Sequence, residues 1–417
     1  MSSLRILPVI ARRQRGVAVL LTMVLVLMIA AVGVTRFATS SASAAARHVA
    51  DNAAQLAIVR TALLSYAVNG RNPGPAACGV NANWRPGELP CPDRDNDGIE
   101  ECTCAGSGQI GRVPWKTLGT PEPRDAAGET LWYAVSTNFR AANAYAGPTP
   151  INSDTKGDLV VWKDDLVNQH TSEAIAVIIA PGSIVGNQTR STTATVNCPL
   201  TETTIAQNLC SSNYMETSPG GGRNWMQGGQ FVMGLTTPSP ETFNDQVLAL
   251  TTADLMPLVE QRVGKDVNEL LKAYRKNSAC ACFPWADNNW DGVSDVSSVY
   301  GNVPLATALP EAWGSGAIPA MTSYLTQNNW WRVLYYAVGN RITAVPPDAM
   351  TIDLNGGGWD TSTILITPGP AGNTRPSTDW SHYIADTTNR DNDRHFISPT
   401  STQYARNRLF SIPYPFP

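Results

Sequence analysis

The chain has 417 residues, a length that suits two or three domains. Charged residues make up 15% of it and the formal net charge is −4, so its composition does not indicate a nucleic-acid-binding protein. Its 33 glycines and 30 prolines favour a loop-rich and strand-rich exterior protein over a helical bundle.

The first predicted element is an apolar helix close to the N-terminus. An uncharged run of 18 residues, 17–34, follows the basic residues Arg12, Arg13 and Arg15 and precedes Arg36. This length is close to the minimum for a helix that spans a bilayer. Because arginine and lysine concentrate on the cytoplasmic side, we expect the residues after Arg36 on the opposite side of the membrane.

Three interpretations of this stretch are open. A cleaved signal peptide would use a small-residue site at 42–44 or 44–46, but these sites lie well past the apolar run. A signal anchor would never be cut. The third interpretation is a resemblance, because Arg15-Gly16-Val17 followed by a long apolar helix resembles the class III leader of type IV pilins and type II secretion pseudopilins.

The resemblance implies a leader peptide over residues 1–16. A prepilin peptidase would cut between Gly16 and Val17 and methylate the new N-terminus. Major subunits of the family carry glutamate at the fifth mature position, where this chain has Leu21. Minor subunits located at the tip often lack that glutamate. The resemblance therefore implies a minor pilin or pseudopilin that assembles with other pilin or pseudopilin subunits, with a surface ligand at the tip as a further partner.

A helical pattern continues beyond the apolar run. Apolar residues recur at steps of three or four from Val49 to Tyr66, and Asn69-Gly70 ends the pattern. Together the two stretches predict a transmembrane helix and amphipathic spine over residues 17–66.

The following region predicts short strands and then another helix. Residues 130–136 and 158–162 are rich in aromatic and β-branched residues, and residues 174–180 form an apolar run that ends at Pro181-Gly182. A second apolar helical repeat extends from Leu255 to Tyr274, with Pro257 near its start.

The second half of the chain repeats the first. Six pairs of segments match in the same order: 63–66 with 270–274, 93–98 with 287–292, 110–118 with 300–308, 131–135 with 334–338, 178–190 with 365–375, and 244–246 with 392–394. We therefore predict an α+β fold in which the long N-terminal transmembrane and amphipathic helix precedes two repeated strand-rich heads, the second with its own helix. The first head would occupy residues 67–260, and the second helix and head residues 261–417.

An acidic loop occurs once in each half and predicts a calcium site. Oxygen-bearing side chains alternate around a glycine, at Gly98 and Gly292, as in loops that bind Ca²⁺. The predicted ligands are Asp93, Asp95, Asp97, Ile99 (through its carbonyl) and Glu101 in the first copy, and Asp287, Asn289, Asp291, Val293 (carbonyl) and Asp295 in the second. Neither copy has the twelfth-position glutamate of an EF-hand, so a shorter thrombospondin-like or dockerin-like loop is the better analogy. The alternative is an ordinary polar turn without an ion.

The eight cysteines predict disulfides. They are Cys78, Cys91, Cys102, Cys104, Cys198, Cys210, Cys280 and Cys282. An even number on the exported side of a membrane favours disulfides, whereas the two C-x-C pairs leave zinc as an alternative. A bridge from Cys91 to Cys102 or Cys104 would fix the first acidic loop.

No sequence motif indicates an enzyme. The chain lacks G-x-S-x-G, H-E-x-x-H and the phosphate-binding G-x4-G-K-[ST] pattern. We therefore expect a non-enzymatic structural subunit. Its precursor would lie in the bacterial inner membrane with the heads in the periplasm, and the assembled form in a pilus or pseudopilus that reaches the cell surface. The alternative is a membrane-anchored, calcium-stabilised adhesin or surface-binding protein.

Overall fold

The chain forms two compact units, Met1–Ala54 and Gln55–Pro417. The computed structural model describes residues 23, 26, 28, 46–70, 85–102, 104, 109–140, 150–164, 166–186, 188, 190, 210–225, 230–234, 242–306, 312–339, 352–356, 359–370, 375, 378–391, 393–398 and 407–413. Gly16, Val17, Leu21, Cys78 and Cys198, and with them the leader at 1–16, lie outside the described residues.

A six-stranded sheet organises the first half of the second unit. Its strands are β1 (Gln109–Arg112), β2 (Trp132–Val135), β3 (Leu159–Trp162), β4 (Gln169–Ala180), β5 (Gln230–Val232) and β6 (Gln246–Thr251). The strand order is β1-β2-β4-β3-β5, and β6 also pairs with β4. The short helix α2 (Trp115–Leu118) lies between β1 and β2. We call residues 85–251 the first module.

The second half contains another six-stranded sheet. Its strands are β7 (Tyr300–Asn302), β8 (Tyr335–Val338), β9 (Ile352–Leu354), β10 (Trp359–Thr367), β11 (His395–Phe396) and β12 (Arg408–Pro413). The order is β11-β9-β10-β8-β7, and β12 pairs with β10. Helices α4 (Ser323–Gln327) and α5 (Trp330–Val333) precede β8. We call residues 280–413 the second module.

The two sheets have the same topology, which confirms the repeat. Each strand β1 to β6 corresponds to the strand six positions later. The correspondence includes direction, because β3 pairs with β5 and β9 with β11 in parallel, whereas the other pairs are antiparallel. The predicted match of 244–246 with 392–394 does not follow this topology, since the counterpart of β6 is β12.

The central strands are buried on both faces, as their composition requires. On β2, Trp132 and Ala134 point to one apolar cluster whereas Tyr133 and Val135 point to the other. This alternation follows from the two-residue period of a strand. The apolar run at the end of β4 pairs with β2 on one side and β6 on the other. Such a strand needs apolar side chains throughout, so the sequence shows no alternation there.

Two helices pack on this framework. Helix α1 covers residues 46–69, and its side chains Leu56, Val59 and Leu63 are buried in the core of the second unit. Helix α3 (Thr252–Asn277) follows β6 directly and includes Pro257. Five of its six predicted apolar positions, among them Leu255 and Val263, are buried, and Leu270 is half-buried. The predicted domain boundary at residues 260 and 261 lies inside α3.

The predicted fold class is wrong in its main feature. The described part of the chain includes no helix whose length and apolar character would allow it to cross a bilayer. This finding overturns the predicted transmembrane spine and the predicted inner-membrane precursor. The apolar positions from Leu56 onward pack on the strand-rich core, as expected of the amphipathic part of the predicted helix. The fold is mixed helix and strand, built on two sheets.

Buried polar contacts join the two modules. Asn328 Oδ1 accepts hydrogen bonds from Arg85 Nη1 at 2.7 Å and from the Ile151 N–H at 2.8 Å. Glu260 on α3 accepts from Ser153 Oγ at 2.5 Å and from Thr367 Oγ1 at 3.2 Å. Asn328 of the second module contacts the first module directly, and Glu260 on α3 links Ser153 of the first module to Thr367 of the second. The modules and α3 therefore share one interior.

Candidate metal centres

Each acidic loop is attached to its sheet by the same backbone pairing. Asp93 exchanges two backbone hydrogen bonds with Arg112 at the end of β1, and Asp287 exchanges two with Asn302 at the end of β7. The preceding residues, Gly111 and Gly301, allow this approach. A Cβ atom at Gly301 would lie 2.0 Å from the Asp287 carbonyl oxygen, so no larger residue fits there.

The first aspartate of each loop closes the turn through its carboxylate. Asp93 accepts from the Asn96 N–H at 2.7 Å and from the Gly98 N–H at 2.8 Å. Asp287 accepts from the Trp290 N–H and the Gly292 N–H, both at 2.8 Å. Two loops of different sequence therefore have the same hydrogen-bonded conformation.

Asp97 in the first loop and Asp291 in the second make the same backbone hydrogen bond. Asp97 Oδ1 accepts from the Ile99 N–H, and Asp291 Oδ1 accepts from the Val293 N–H, each at 2.7 Å. These aspartates stabilise the turn in the structure. Their second carboxylate oxygens are available for a cation.

The first loop brings three of its predicted ligands together. Carboxylate oxygens of Asp93, Asp95 and Glu101 all lie within 4.8 Å of one another. In the second loop, Asn289 Nδ2 donates to Asp295 Oδ1 at 3.3 Å, while Asp295 Oδ2 accepts from the Asn288 N–H at 2.7 Å. The first copy thus has the denser negative charge.

Burial makes these carboxyl groups harder to ionise. Burial, with smaller contributions from the neighbouring Asp97 and Asp95 carboxylates, raises the pKa of Asp93 to about 6 despite the hydrogen bonds from two backbone N–H groups. Burial also raises the pKa values of Glu101 and Asp287. A bound divalent cation would lower these pKa values, because it would neutralise the repulsion between the carboxylates and replace the water lost on burial.

Surrounding residues fix the first loop more firmly than the second. Glu100, beside the loop, accepts from Tyr66 Oη on α1 and from the Cys91 N–H, both at 3.2 Å. Lys116 Nζ donates to the Asp97 carbonyl oxygen. At the position equivalent to Lys116 the second module has Ala306. Of the two acidic loops, the first therefore has a lysine contact that the second lacks.

The disulfide prediction is confirmed for the described cysteines. Cys91 pairs with Cys104 across the first loop, and Cys280 pairs with Cys282. Cys102 and Cys210 are also disulfide-bonded. Because the sulfurs of the two C-x-C segments are oxidised, they do not form a zinc site. The Cys91–Cys104 bond holds the loop that carries the acidic cluster.

Sequence reasoning missed three residues that the structure makes prominent. Arg85 is almost completely buried, Glu260 is fully buried, and Trp290 has a positive φ of 65°. Glu260 could have been found from the sequence, because it occupies a core-facing position of a predicted apolar helix. Trp290 could have been noticed by comparing the repeats, since its counterpart is Asn96.

No protein-family model, no curated protein and no solved structure matches this chain.

Proposed function

We propose that the protein is a non-catalytic structural subunit, a minor pilin or pseudopilin, whose two modules each bind Ca²⁺. The observation that carries the proposal is the duplicated acidic loop, which has the same hydrogen bonds and the same attachment to the sheet in both modules. The assembly role in this proposal rests on the leader-like sequence Arg15-Gly16-Val17, which lies outside the described residues.

Within this proposal, Leu21 at the fifth mature position favours the tip of the fibre. The glutamate that major subunits carry there is absent, so contacts with a subunit above are not required of this chain. Two joined modules would also be bulky in a repeating shaft. Both considerations favour an initiating or capping subunit over a shaft subunit.

The mature N-terminus tests the assembly role. We expect mass spectrometry of the protein from its native host to find a methylated Val17 at the N-terminus. A Gly16→Val variant should retain the leader, since the site of cleavage has changed, and should be absent from isolated fibres. An intact Met1 or an N-terminus near Arg47 in the unmodified protein would contradict the proposal.

In the first loop, Asp93, Asp95 and Glu101 would hold Ca²⁺ together with Asp97 and the Ile99 carbonyl. In the second, the ligands would be Asp287, Asn289, Asp291 and Asp295 with the Val293 carbonyl. Calcium takes 6–8 oxygen ligands, and carboxylates, amides and carbonyls all serve. The ion would hold each loop in the turn that its aspartates already form.

Calcium should therefore raise the melting temperature. Binding to the native state alone adds about 2.7 kcal/mol per site when free Ca²⁺ is at 100 times Kd. We expect Asp95→Ala and Asp295→Ala each to remove part of the shift, and the double variant to remove all of it. These residues are chosen because Asp95 is exposed and Asp295 is half-buried, so neither belongs to the core.

Differential scanning calorimetry with Ca²⁺ and with chelator measures this effect. Glu269→Gln serves as the control, because that carboxylate is exposed on α3. A melting temperature that does not respond to Ca²⁺, or a response that survives in the double variant, would remove calcium from the proposal. The assembly role would still be tested separately by the mature N-terminus.

A further inference from the structure

A cavity of about 520 Å³ lies where residues 150–155 of the first module meet the second module. Its lining includes Asn152, Asp154, Trp290, Asn329, Arg332 and Tyr383. This volume falls within the range of small-molecule sites, which combine aromatic walls with a few polar groups. The cavity is separate from the carboxylate cluster of the first acidic loop.

Trp290 adopts a conformation that its side chain disfavours. Its φ is 65°, in the left-handed region, and its counterpart Asn96 has a φ of 63°. Asparagine tolerates this region, whereas a bulky side chain there is a genuine outlier. The repeat therefore offers a direct comparison, because the same turn forms with an unstrained residue. Such outliers concentrate at functional sites.

The indole of Trp290 belongs to an aromatic wall. It lies 4.7 Å from the Trp380 ring and 5.8 Å from the Tyr383 ring, measured between centroids. Trp290 is half-buried, so part of the ring remains accessible in the cavity. This support fixes the orientation of the ring while leaving a surface for a ligand.

Three polar groups in the lining have unused hydrogen-bonding capacity within the described part of the chain. Asp154 Oδ1 accepts no hydrogen bond there, although Arg375 Nη1 lies 3.6 Å away. The Asn329 amide has no hydrogen-bond partner among the described residues. The same holds for the Arg332 guanidinium, which stacks at 4.9 Å from the Trp331 ring. Burial raises the pKa of Asp154, which indicates a partly dehydrated site.

We propose that this cavity binds a pyranose ring of a neutral glycan, with the C–H face of the sugar on Trp290. The sugar hydroxyls would donate to Asp154, accept from Arg332, and do either with Asn329. Asp154 already has a charged neighbour in Arg375 at 3.6 Å, so the choice of a sugar rests on the aromatic wall and the polar groups of the lining. This inference goes beyond the assembly role and does not depend on it, since the cavity lies wholly in the described modules.

Saturation-transfer difference NMR tests the proposal with glucose, galactose, mannose and N-acetylglucosamine as probes. We expect at least one sugar to receive saturation from the unmodified protein. Trp290→Asn, which installs the residue of the first module, should abolish the transfer. Arg332→Gln should weaken binding about tenfold, because one charge-assisted hydrogen bond is lost.

The control is Trp225→Ala, which removes a tryptophan from a different surface cavity and should leave the transfer unchanged. The proposal is overturned if none of the four sugars receives saturation, or if Trp290→Asn still transfers it.

Discussion

Arg85→Ala is expected to lower the free energy of unfolding by about 3–5 kcal/mol, because it removes the positive charge that is paired with a buried carboxylate. The Arg85 and Glu88 side chains are only 2% and 1% exposed, and Arg85 Nε lies 2.6 Å from Glu88 Oε1. Arg85 Nη1 also donates to Asn328 Oδ1 of the second module at 2.7 Å. The substitution therefore disturbs an ion pair and a contact between modules at once.

Urea denaturation of single and double variants separates these causes. Arg85→Met combined with Glu88→Gln removes both charges and keeps most of the volume, so it should recover a large part of the lost stability. If the double variant is as unstable as Arg85→Ala, the uncompensated charge is not the cause. If Arg85→Ala changes stability by less than about 1 kcal/mol, the pair has no more effect than a surface salt bridge.

Glu260→Gln is expected to change how stability depends on pH. Burial raises the pKa of Glu260 from its ordinary value of 4.5 to about 7, against the hydrogen bonds from Ser153 and Thr367 and the nearby Arg375 and Arg408. The folded state therefore holds this proton more tightly than the unfolded state. Its stabilising contribution is fully present below pH 4.5 and is lost as the pH rises to about 7. The size of this loss is about 3 kcal/mol.

Glutamine remains neutral and can still accept from Ser153, so the variant should not show this loss. We expect Glu260→Gln to gain up to about 3 kcal/mol relative to the unmodified protein between pH 4.5 and pH 8. Urea midpoints across this range measure the difference, and other titrating groups cancel in the comparison. Glu269→Gln on the exposed face of the same helix is the control. A pH-independent difference for Glu260→Gln would contradict the expectation.

Local sequence patterns correctly predicted three strands of the first sheet and helix α3. The strands β2, β3 and β4 follow from short aromatic and β-branched runs, and α3 follows from the apolar spacing between Leu255 and Tyr274. The two acidic loops were found because aspartates and a glycine at fixed spacing determine their own turn. The repeat was visible because equivalent turns require the same residues, such as Gly111 and Gly301.

The features that the sequence did not predict depend on long-range contacts. An apolar helical stripe is the same whether it faces a neighbouring subunit or its own sheet, so the sequence left both partners open for Leu56 and Val59. The cavity beside Trp290 depends on residues 150–155 approaching a module far away in sequence. The Arg85 contact with Asn328 has the same origin. Periodicity carries no information on such distant partners.

The duplication also creates a problem for folding, because β6 and β12 are equivalent strands that could each pair with the wrong sheet. Misassembly of this kind is characteristic of repeat proteins. The position of Gly264 on α3 distinguishes them. A Cβ atom there would lie 2.2 Å from the Phe410 ring of β12, so the missing side chain makes room for that ring. At the equivalent position β6 has the smaller Leu248. The absence of a side chain at Gly264 therefore leaves room for Phe410 of β12 in the native packing beside this part of α3.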